Sequence, residues 1–196
     1  MVAKAARQAA REGVDPANLT GAVEAELPAA PRLQLASAVD RPPRGDDWLH
    51  EIKFDGYRMA ATLDAGEVHL TTRNLLEWTD RFTAIAAAAA RLPARSAVLD
   101  GEIVALGADG RSDFGALQRW LGVTPDGGAE RGESKRTVVV YQLFDLLFLD
   151  GYDLRGVALE QRKTALADLL GSAEGFAKGA AKSSPKGSAN FSPRPS

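Results

Sequence analysis

Apolar and polar residues alternate along much of the middle of the chain, and this period of two predicts half-buried β-strands. The predicted strands are 48–53, 57–64, 67–72, 97–106 and 137–149, the last being a long, mainly apolar run. Stretches between and after them predict helices at 80–92, 114–120 and 159–170, with Thr79 and Asp113 as the N-caps of the first two. Short turns such as Ala65-Gly66 and Asp150-Gly151 join several of these elements. The pattern favours an α+β fold with a mainly antiparallel sheet and inserted helices.

The two ends of the chain and one internal segment lack this pattern. Residues 1–32 are rich in alanine, proline and arginine, and we interpret them as a linker or N-terminal arm. Residues 33–170 form the predicted domain, in which the glycine-rich, charged segment 122–135 is expected to be a mobile loop. Residues 171–196 have the glycine, alanine, serine, lysine and proline content that is typical of a disordered tail.

Composition narrows the class of protein. With 196 residues, 45% of them hydrophobic, the chain can bury the core of one ordinary domain. Its net charge is −2, so a contact with nucleic acid would need a local basic surface. It has no cysteine, which excludes disulfides and thiolate metal sites. No long apolar run and no secretory signal are found, so we expect a cytoplasmic protein without a membrane partner.

The segment from Glu51 to Arg58, E-I-K-F-D-G-Y-R, carries the most specific chemistry in the chain. Lys53 lies between two carboxylates, and an arginine follows five positions later. A lysine can attack phosphorus once its ammonium group has lost a proton, and the attacked phosphate needs cations and a metal to absorb charge. In a strand, Glu51 and Lys53 would share one face. The segment therefore predicts a nucleophilic lysine; the alternative is a surface lysine at the end of a strand.

Three further blocks follow it in order. They are Thr72-Arg73-Asn74, the run L-D-G-E-I-V at 99–104, and the run Y-Q-L-F-D-L-L-F-L-D-G at 141–151. Together the four blocks resemble the adenylation (nucleotidyltransferase) domain of ATP-dependent DNA ligases, and they are most similar to the ligase domain of bacterial end-joining ligases of the LigD type. A lone K-x-D-G is a weak signal, but the order and spacing of all four blocks make the resemblance specific. It implies a partial, ATP-grasp-like nucleotidyltransferase fold.

The resemblance implies roles for the residues around the nucleophile. Lys53 would attack the α-phosphate of ATP, expel pyrophosphate and carry AMP. Asp55 would help to place a divalent metal, Mg or Mn, although Asp-Gly is also a favoured turn pair. Arg58 and Arg73 would contact the ribose and the phosphates, because a guanidinium group offers a fork of donors suited to phosphate oxygens. The alternative for both is an exposed arginine on a strand.

The base and the sugar of the nucleotide would contact three other residues. By resemblance, Glu51 would line the pocket near the adenine, and Glu102 would bind the ribose hydroxyls and could also hold a metal. Phe144 would stack on the adenine, a type of contact worth about 1–3 kcal/mol. The ordinary alternatives are a solvated strand residue, an edge-strand charge and a core phenylalanine, respectively. Asp100 and Asp145 are interpreted as structural.

Two later motifs of such ligases, E-G-x-x-x-K and a K-x-K strand, find no convincing match, and neither does an OB-fold domain. The segment Glu174-Gly175-Phe176-Ala177-Lys178 is one residue short of the first motif and lies in low-complexity sequence, so we interpret it as a coincidence. We therefore expect a C-terminally truncated ligase domain. A missing electrostatic group can cost about 10²–10³ in rate, so complete ligation by the chain alone is expected to be impaired.

The motifs leave other functions open. RNA ligases and capping guanylyltransferases share the superfamily, but the T-R-N block and the run E-W-T-D-R-F at 77–82 favour a DNA ligase. The expected partner is then nicked or broken duplex DNA in repair and end joining, with end-joining proteins or other domains of a multidomain ligase as further partners. The alternative is a non-catalytic fragment that binds DNA or a partner. An α+β domain with chance motifs is the third reading.

Overall fold

The computed structural model describes residues 14–45, 47–123 and 137–171. Within these ranges the strands are β1 (Val23–Glu24), β2 (Tyr57–Asp64), β3 (Glu67–Thr72), β4 (Ser96–Leu106), β5 (Val138–Leu149) and β6 (Tyr152–Asp153). They form one sheet in the order β1-β6-β5-β4-β2-β3, and every neighbouring pair is antiparallel. The helices are α1 (Thr83–Ala89), α2 (Phe114–Trp120) and α3 (Leu159–Gly171), with 3-10 turns at Pro16–Asn18 and Thr79–Arg81. The predicted α+β class with a mainly antiparallel sheet is confirmed.

Two tight hairpins set the register at the ends of the central strands. In the turn between β2 and β3, Ala65 and Gly66 have φ values of 48° and 96°. In the turn between β5 and β6, Asp150 and Gly151 have φ values of 42° and 94°. Two successive residues with positive φ match the twist of antiparallel strands, which is why such turns favour Asn-Gly and Asp-Gly pairs. Both turns lie where the sequence predicts them.

The core lies on one face of the sheet. Met59, Ala61 and Leu63 alternate along β2 and are almost completely buried. They pack in one cluster with residues of β4, β5 and the three helices, including Leu99, Leu146, Ala86, Leu117 and Leu166. In this cluster the rings of Phe82 and Trp120 stack with centroids 5.7 Å apart. The opposite face of β2 and β4 carries Arg58, Asp100 and Glu102.

The predicted strand at 48–53 does not form; residues 47–55 are irregular. The edge of β4 closest to these residues pairs instead with the segment that follows β4 in the chain. Leu106 bridges to Ser112, and the Asp113 amide donates to the Ala105 carbonyl. The amide of Asp55 donates to the Ser112 hydroxyl at 3.3 Å, so its hydrogen bond goes to a side chain and not to a strand.

The predicted helix at 80–92 is shorter than expected and begins later. A 3-10 turn at Thr79–Arg81 precedes α1, and Phe82 between them has a φ of −130°, which is outside the helical range. The hydroxyl of Thr79 does not cap this helix. It accepts a hydrogen bond from the Leu70 amide at 2.8 Å, which ties the turn to β3. Asp113, by contrast, caps α2 as predicted, accepting from the Ala116 amide at 2.8 Å.

Several sequence-based expectations lie outside the described residues. These are the absence of a secretory signal at the first residues, most of the predicted loop at 122–135, the tail from 172 onward and the near-motif at 174–178. None of the helices in the described ranges has the length and apolar character needed to cross a lipid bilayer.

Candidate nucleotide-binding site

The polar face of the sheet brings most of the predicted site residues together, where β2, β4 and β5 lie side by side. Arg58 of β2 lies opposite Glu102 of β4 in the ladder. Asp100 lies two residues from Glu102 on the same strand, and it is opposite Asp145 of β5. Because alternate residues of a strand share a face, Arg58, Asp100 and Glu102 lie on the side away from the helical core.

Arg58 is held in place by Asp100. Its Nε and Nη2 donate to the two carboxylate oxygens at 3.1 and 2.7 Å, and the Asp100 side chain is 3% exposed. The hydrogen bond to Asp100 raises the pKa of Arg58. Burial raises the pKa of Asp100, against the opposing effect of the Arg58 charge, and the nearby Asp145 carboxylate raises it further. Asp100 therefore has the structural role that the sequence suggested, because its carboxylate orients Arg58 on the polar face.

Phe144 reaches this face through a bulge in β5. The ladder pairs Asp100 with Asp145 and Gly101 with Leu143, so Phe144 is passed over. The guanidinium carbon of Arg58 lies 5.4 Å from the centroid of the Phe144 ring, a cation–π distance. The order of apolar and polar residues around position 144 does not predict this bulge. As a result, an aromatic ring and an arginine held by a carboxylate lie next to each other.

The loop that carries the K-x-D-G block is fixed to β4 at Gly56. The Gly56 amide donates to Oε1 of Glu102 at 3.1 Å. A Cβ atom at this position would lie 2.1 Å from the carbonyl oxygen of Ile103, so any side chain would push the loop away from β4. Gly56 therefore permits a close approach of two backbones, and its amide holds the carboxylate of Glu102.

Charges of both signs surround Glu102. Burial raises the pKa of this carboxyl, while the Gly56 amide and the charges of Arg58 and Lys53 oppose the rise and Asp55 adds to it. Lys53 and Asp55 are exposed, and they lie close enough to Glu102 to act on its ionisation. The loop thus brings an exposed lysine and the carboxylate of Asp55 to the end of the polar face where β4 carries Glu102.

The two carboxylates, Asp55 and Glu102, fit a magnesium-type ion only in part. Mg²⁺ is usually held by one or two carboxylates, together with phosphate oxygens of the substrate and water. In the ranges that the structure describes, no group of three or more His, Cys, Asp or Glu side chains could hold a metal. The site therefore fits a metal that arrives with a phosphate-bearing substrate, and it does not fit a site made of protein ligands alone.

Glu51 is placed by an ion pair and not by the predicted strand. Its Oε1 accepts a hydrogen bond from Nζ of Lys163 on α3. The same ammonium donates to the main-chain oxygen of Phe144 at 2.8 Å. The prediction that Glu51 and Lys53 share a strand face is wrong, because residues 47–55 form no strand.

Lys163 is the residue near the site that the sequence reasoning missed. It is separated from Glu51 by 112 positions, and no family motif points to it. The available signal was the pair Arg162-Lys163 on a helix with an apolar face. Arg162 also contacts β5: its guanidinium binds both oxygens of Asp145 at 2.8 and 2.9 Å. The two cations therefore join α3 to the bulge that presents Phe144.

Arg73 lies at the margin of this arrangement. It follows Thr72, the last residue of β3, and Thr72 pairs with Met59 next to Arg58. Its side chain is exposed, and the described part of the chain offers it no ion-pair partner. The structure thus brings Glu51, Lys53, Asp55, Arg58, Glu102 and Phe144 to one region, and it leaves Arg73 on the adjoining strand end.

A family model for the ATP-dependent DNA ligase domain matches residues 30–189, which is most of the chain. The chain belongs to this family. A multifunctional non-homologous end joining protein LigD from Pseudomonas aeruginosa is 44% identical over 137 residues, which cover 70% of this chain and 15% of that protein. A probable DNA ligase from Streptomyces griseus is 39% identical over 121 residues, covering 61% of this chain and 23% of the relative. The matched part of this chain thus spans less than a quarter of the length of these curated relatives.

Solved structures agree with this assignment. The ligase domain of LigD from M. tuberculosis is 32% identical, with a TM-score of 0.50, and the match covers 63% of this chain and 37% of that one. A mycobacterial DNA ligase D complexed with ATP and MES gives the same TM-score of 0.50 at 31% identity, covering 63% of this chain and 36% of its own. The antiparallel sheet with inserted helices is therefore the fold of the LigD-type ligase domain.

Proposed function

We propose that this ligase domain forms a covalent lysyl-AMP on Lys53. The Nζ atom attacks the α-phosphorus of ATP and forms an N–P bond. The bond from that phosphorus to the bridging oxygen of the β-phosphate breaks, pyrophosphate leaves, and the exposed Nζ gives up a proton to solvent. The observation that carries the proposal is the convergence on one sheet face of an exposed lysine, a carboxylate-held arginine, two further carboxylates and an aromatic ring.

The neighbouring residues suit the parts of ATP. The Phe144 ring is a platform for the adenine, and Glu102 is an acceptor for the ribose hydroxyls. Arg58, oriented by Asp100, and Arg73 are the cations available for the ribose and the phosphates. Glu51, which Lys163 joins to the main-chain oxygen of Phe144, would contact the adenine base. The geometry of the polar face supports these assignments, and a solved relative that is complexed with ATP supports ATP as the nucleotide.

Asp55, together with Glu102, is the metal-binding candidate. A divalent ion, Mg²⁺ or Mn²⁺, would neutralise phosphate charge when bound with ATP. The contribution of this chain is two carboxylates at the lysine end of the face and a loop fixed by Gly56. Removing free divalent metal with a chelator is expected to abolish labelling of Lys53, and adding back Mg²⁺ or Mn²⁺ is expected to restore it.

The next acceptor of AMP in the proposed pathway is the 5′-phosphate at a break or nick in duplex DNA, in repair and end joining. The names of the relatives support end joining of DNA as the pathway. The sequence has no convincing E-G-x-x-x-K or K-x-K motif, so we propose that the chain alone seals nicks poorly. Other domains or end-joining proteins would then assist it.

Labelling with ATP that carries a radioactive α-phosphate tests the proposal directly. The chain should gain a label that is stable to denaturation, the Lys53→Ala variant should gain none, and the matched loop variant His50→Gln should be labelled like the original. ATP labelled at the γ-phosphate should leave no label, because that phosphate departs with pyrophosphate. A chain that binds DNA or a partner but takes no label would instead be a non-catalytic fragment.

A further inference from the structure

One lysine outside the motif blocks joins two residues of the nucleotide site. Lys163 lies on α3, and its ammonium contacts both the carboxylate of Glu51 and the main-chain oxygen of Phe144. Glu51 belongs to an irregular loop and Phe144 to a strand bulge, so the position of neither residue is fixed by regular strand pairing. Lys163 is therefore the contact that couples the position of Glu51 to that of Phe144.

We propose that Lys163 is a specificity-positioning residue, which holds the Glu51 carboxylate beside Phe144 so that the site prefers a base with an exocyclic 6-amino group. The inference rests on the proposed function, because it assumes that the nucleotide base lies on the Phe144 ring. It adds to that function a residue, Lys163, that positions Glu51.

The donor and acceptor chemistry supports this role. A lysine ammonium has three donors, of which two are used here, and a carboxylate accepts only. Oε1 of Glu51 is taken by Lys163, and the described residues provide no partner for its second oxygen. The 6-amino group of adenine is a donor that this oxygen can accept from, whereas a purine with hydrogen at position 6 offers nothing to it.

The anchoring of Lys163 separates it from an ordinary surface ion pair. Exposed pairs contribute little because two long side chains must be ordered in high dielectric. Lys163 is 22% exposed, less than half the 49% of Glu51, and the Phe144 carbonyl fixes its ammonium independently of the carboxylate. A half-buried cation on a helix can therefore determine where the more exposed carboxylate of the loop lies.

Binding measurements with two nucleotides test the inference without requiring AMP transfer. The α,β-methylene analogues of ATP and of purine riboside triphosphate, which lacks the 6-amino group, are titrated into the chain and its variants in the presence of Mg²⁺. A hydrogen bond to a charged group supports a preference of about tenfold for the amino compound in the original chain. Lys163→Met and Glu51→Ala should each reduce the preference to near unity, and the double variant should lose no more.

The matched variants are Lys163→Arg, which should keep the preference, and Gln161→Ala on the same helix, which should change nothing. If Lys163→Met keeps the preference, the inference is wrong and the proposed function stands. If Lys163→Met weakens both nucleotides equally and lowers the melting temperature, Lys163 is only a structural tie and the inference is also wrong. If the original chain binds neither nucleotide, the proposed function falls, and the inference falls with it.

Discussion

Glu102 connects the chemistry of the site to the stability of the fold. Its carboxylate accepts a hydrogen bond from the Gly56 amide, and burial raises its pKa in the folded chain. A raised folded-state pKa means that the fold disfavours the ionised carboxylate. Glu102 therefore favours folding most at pH values below its unfolded pKa, and this contribution is lost as the pH rises through the raised folded pKa. A carboxyl group that is costly to ionise and lies among other charged side chains on one face is more typical of a functional site than of a stabilising contact.

The substitution Glu102→Gln tests this assignment. Glutamine keeps an oxygen for the Gly56 amide but cannot ionise, so it resembles the protonated acid. The variant and the original chain should have similar melting temperatures near pH 4, and the variant should gain on the original as the pH rises towards 7. Labelling of Lys53 by ATP should fall at the same time. If the original chain gained stability over the variant as the pH rises, the sign of the pKa shift would be wrong.

At the scale of elements, the sequence predicted the hairpins better than the loop. Ala65-Gly66 and Asp150-Gly151 are local signals, since the residues themselves carry the positive φ values. Whether Trp48 to Lys53 forms a strand depends instead on a free strand edge. The β4 edge nearest that loop is taken by Ser112 and Asp113, which no local pattern reveals. The order of apolar and polar residues in β5 likewise does not indicate the bulge at Phe144.

The turn between β2 and β3 offers a test of this local logic. Ala65 has a φ of 48°, which costs an L-residue about 1–2 kcal/mol, although asparagine tolerates it well. Ala65→Asn creates the favoured Asn-Gly turn and keeps the amide that donates to the Arg95 carbonyl at 2.8 Å. Urea unfolding should show a gain of about 0.5–1 kcal/mol. The β-branched variant Ala65→Val should lose stability, and equal stability of the three chains would contradict the prediction.

At the scale of the whole molecule, one sheet serves two purposes on its two faces. The helical face is apolar and nearly fully buried, while the other face carries the carboxylates and cations of the site. The residues of the K-x-D-G, D-G-E and F-D-L-L blocks could be assigned to this site from the sequence because family motifs mark them. Lys163 could not, because its contacts with Glu51 and Phe144 exist only after α3 has packed against β5.

The separation of the two faces predicts that stability and nucleotide affinity can be changed independently. Leu63 lies on the helical face of β2, is fully buried, and is five residues from Arg58 along the strand. Leu63→Ala should lower the free energy of unfolding by about 2–5 kcal/mol, the cost of a core cavity, measured in urea. Below its melting transition, the variant should bind the α,β-methylene analogue of ATP with an affinity within about twofold of the original, because Leu63 lies on the face away from the site. A factor of two in affinity corresponds to less than about 0.5 kcal/mol. Leu35→Ala, at a position 69% exposed, is the control that should change neither quantity. A tenfold loss of affinity in the folded Leu63→Ala chain would show that packing of the helical face sets the geometry of the site.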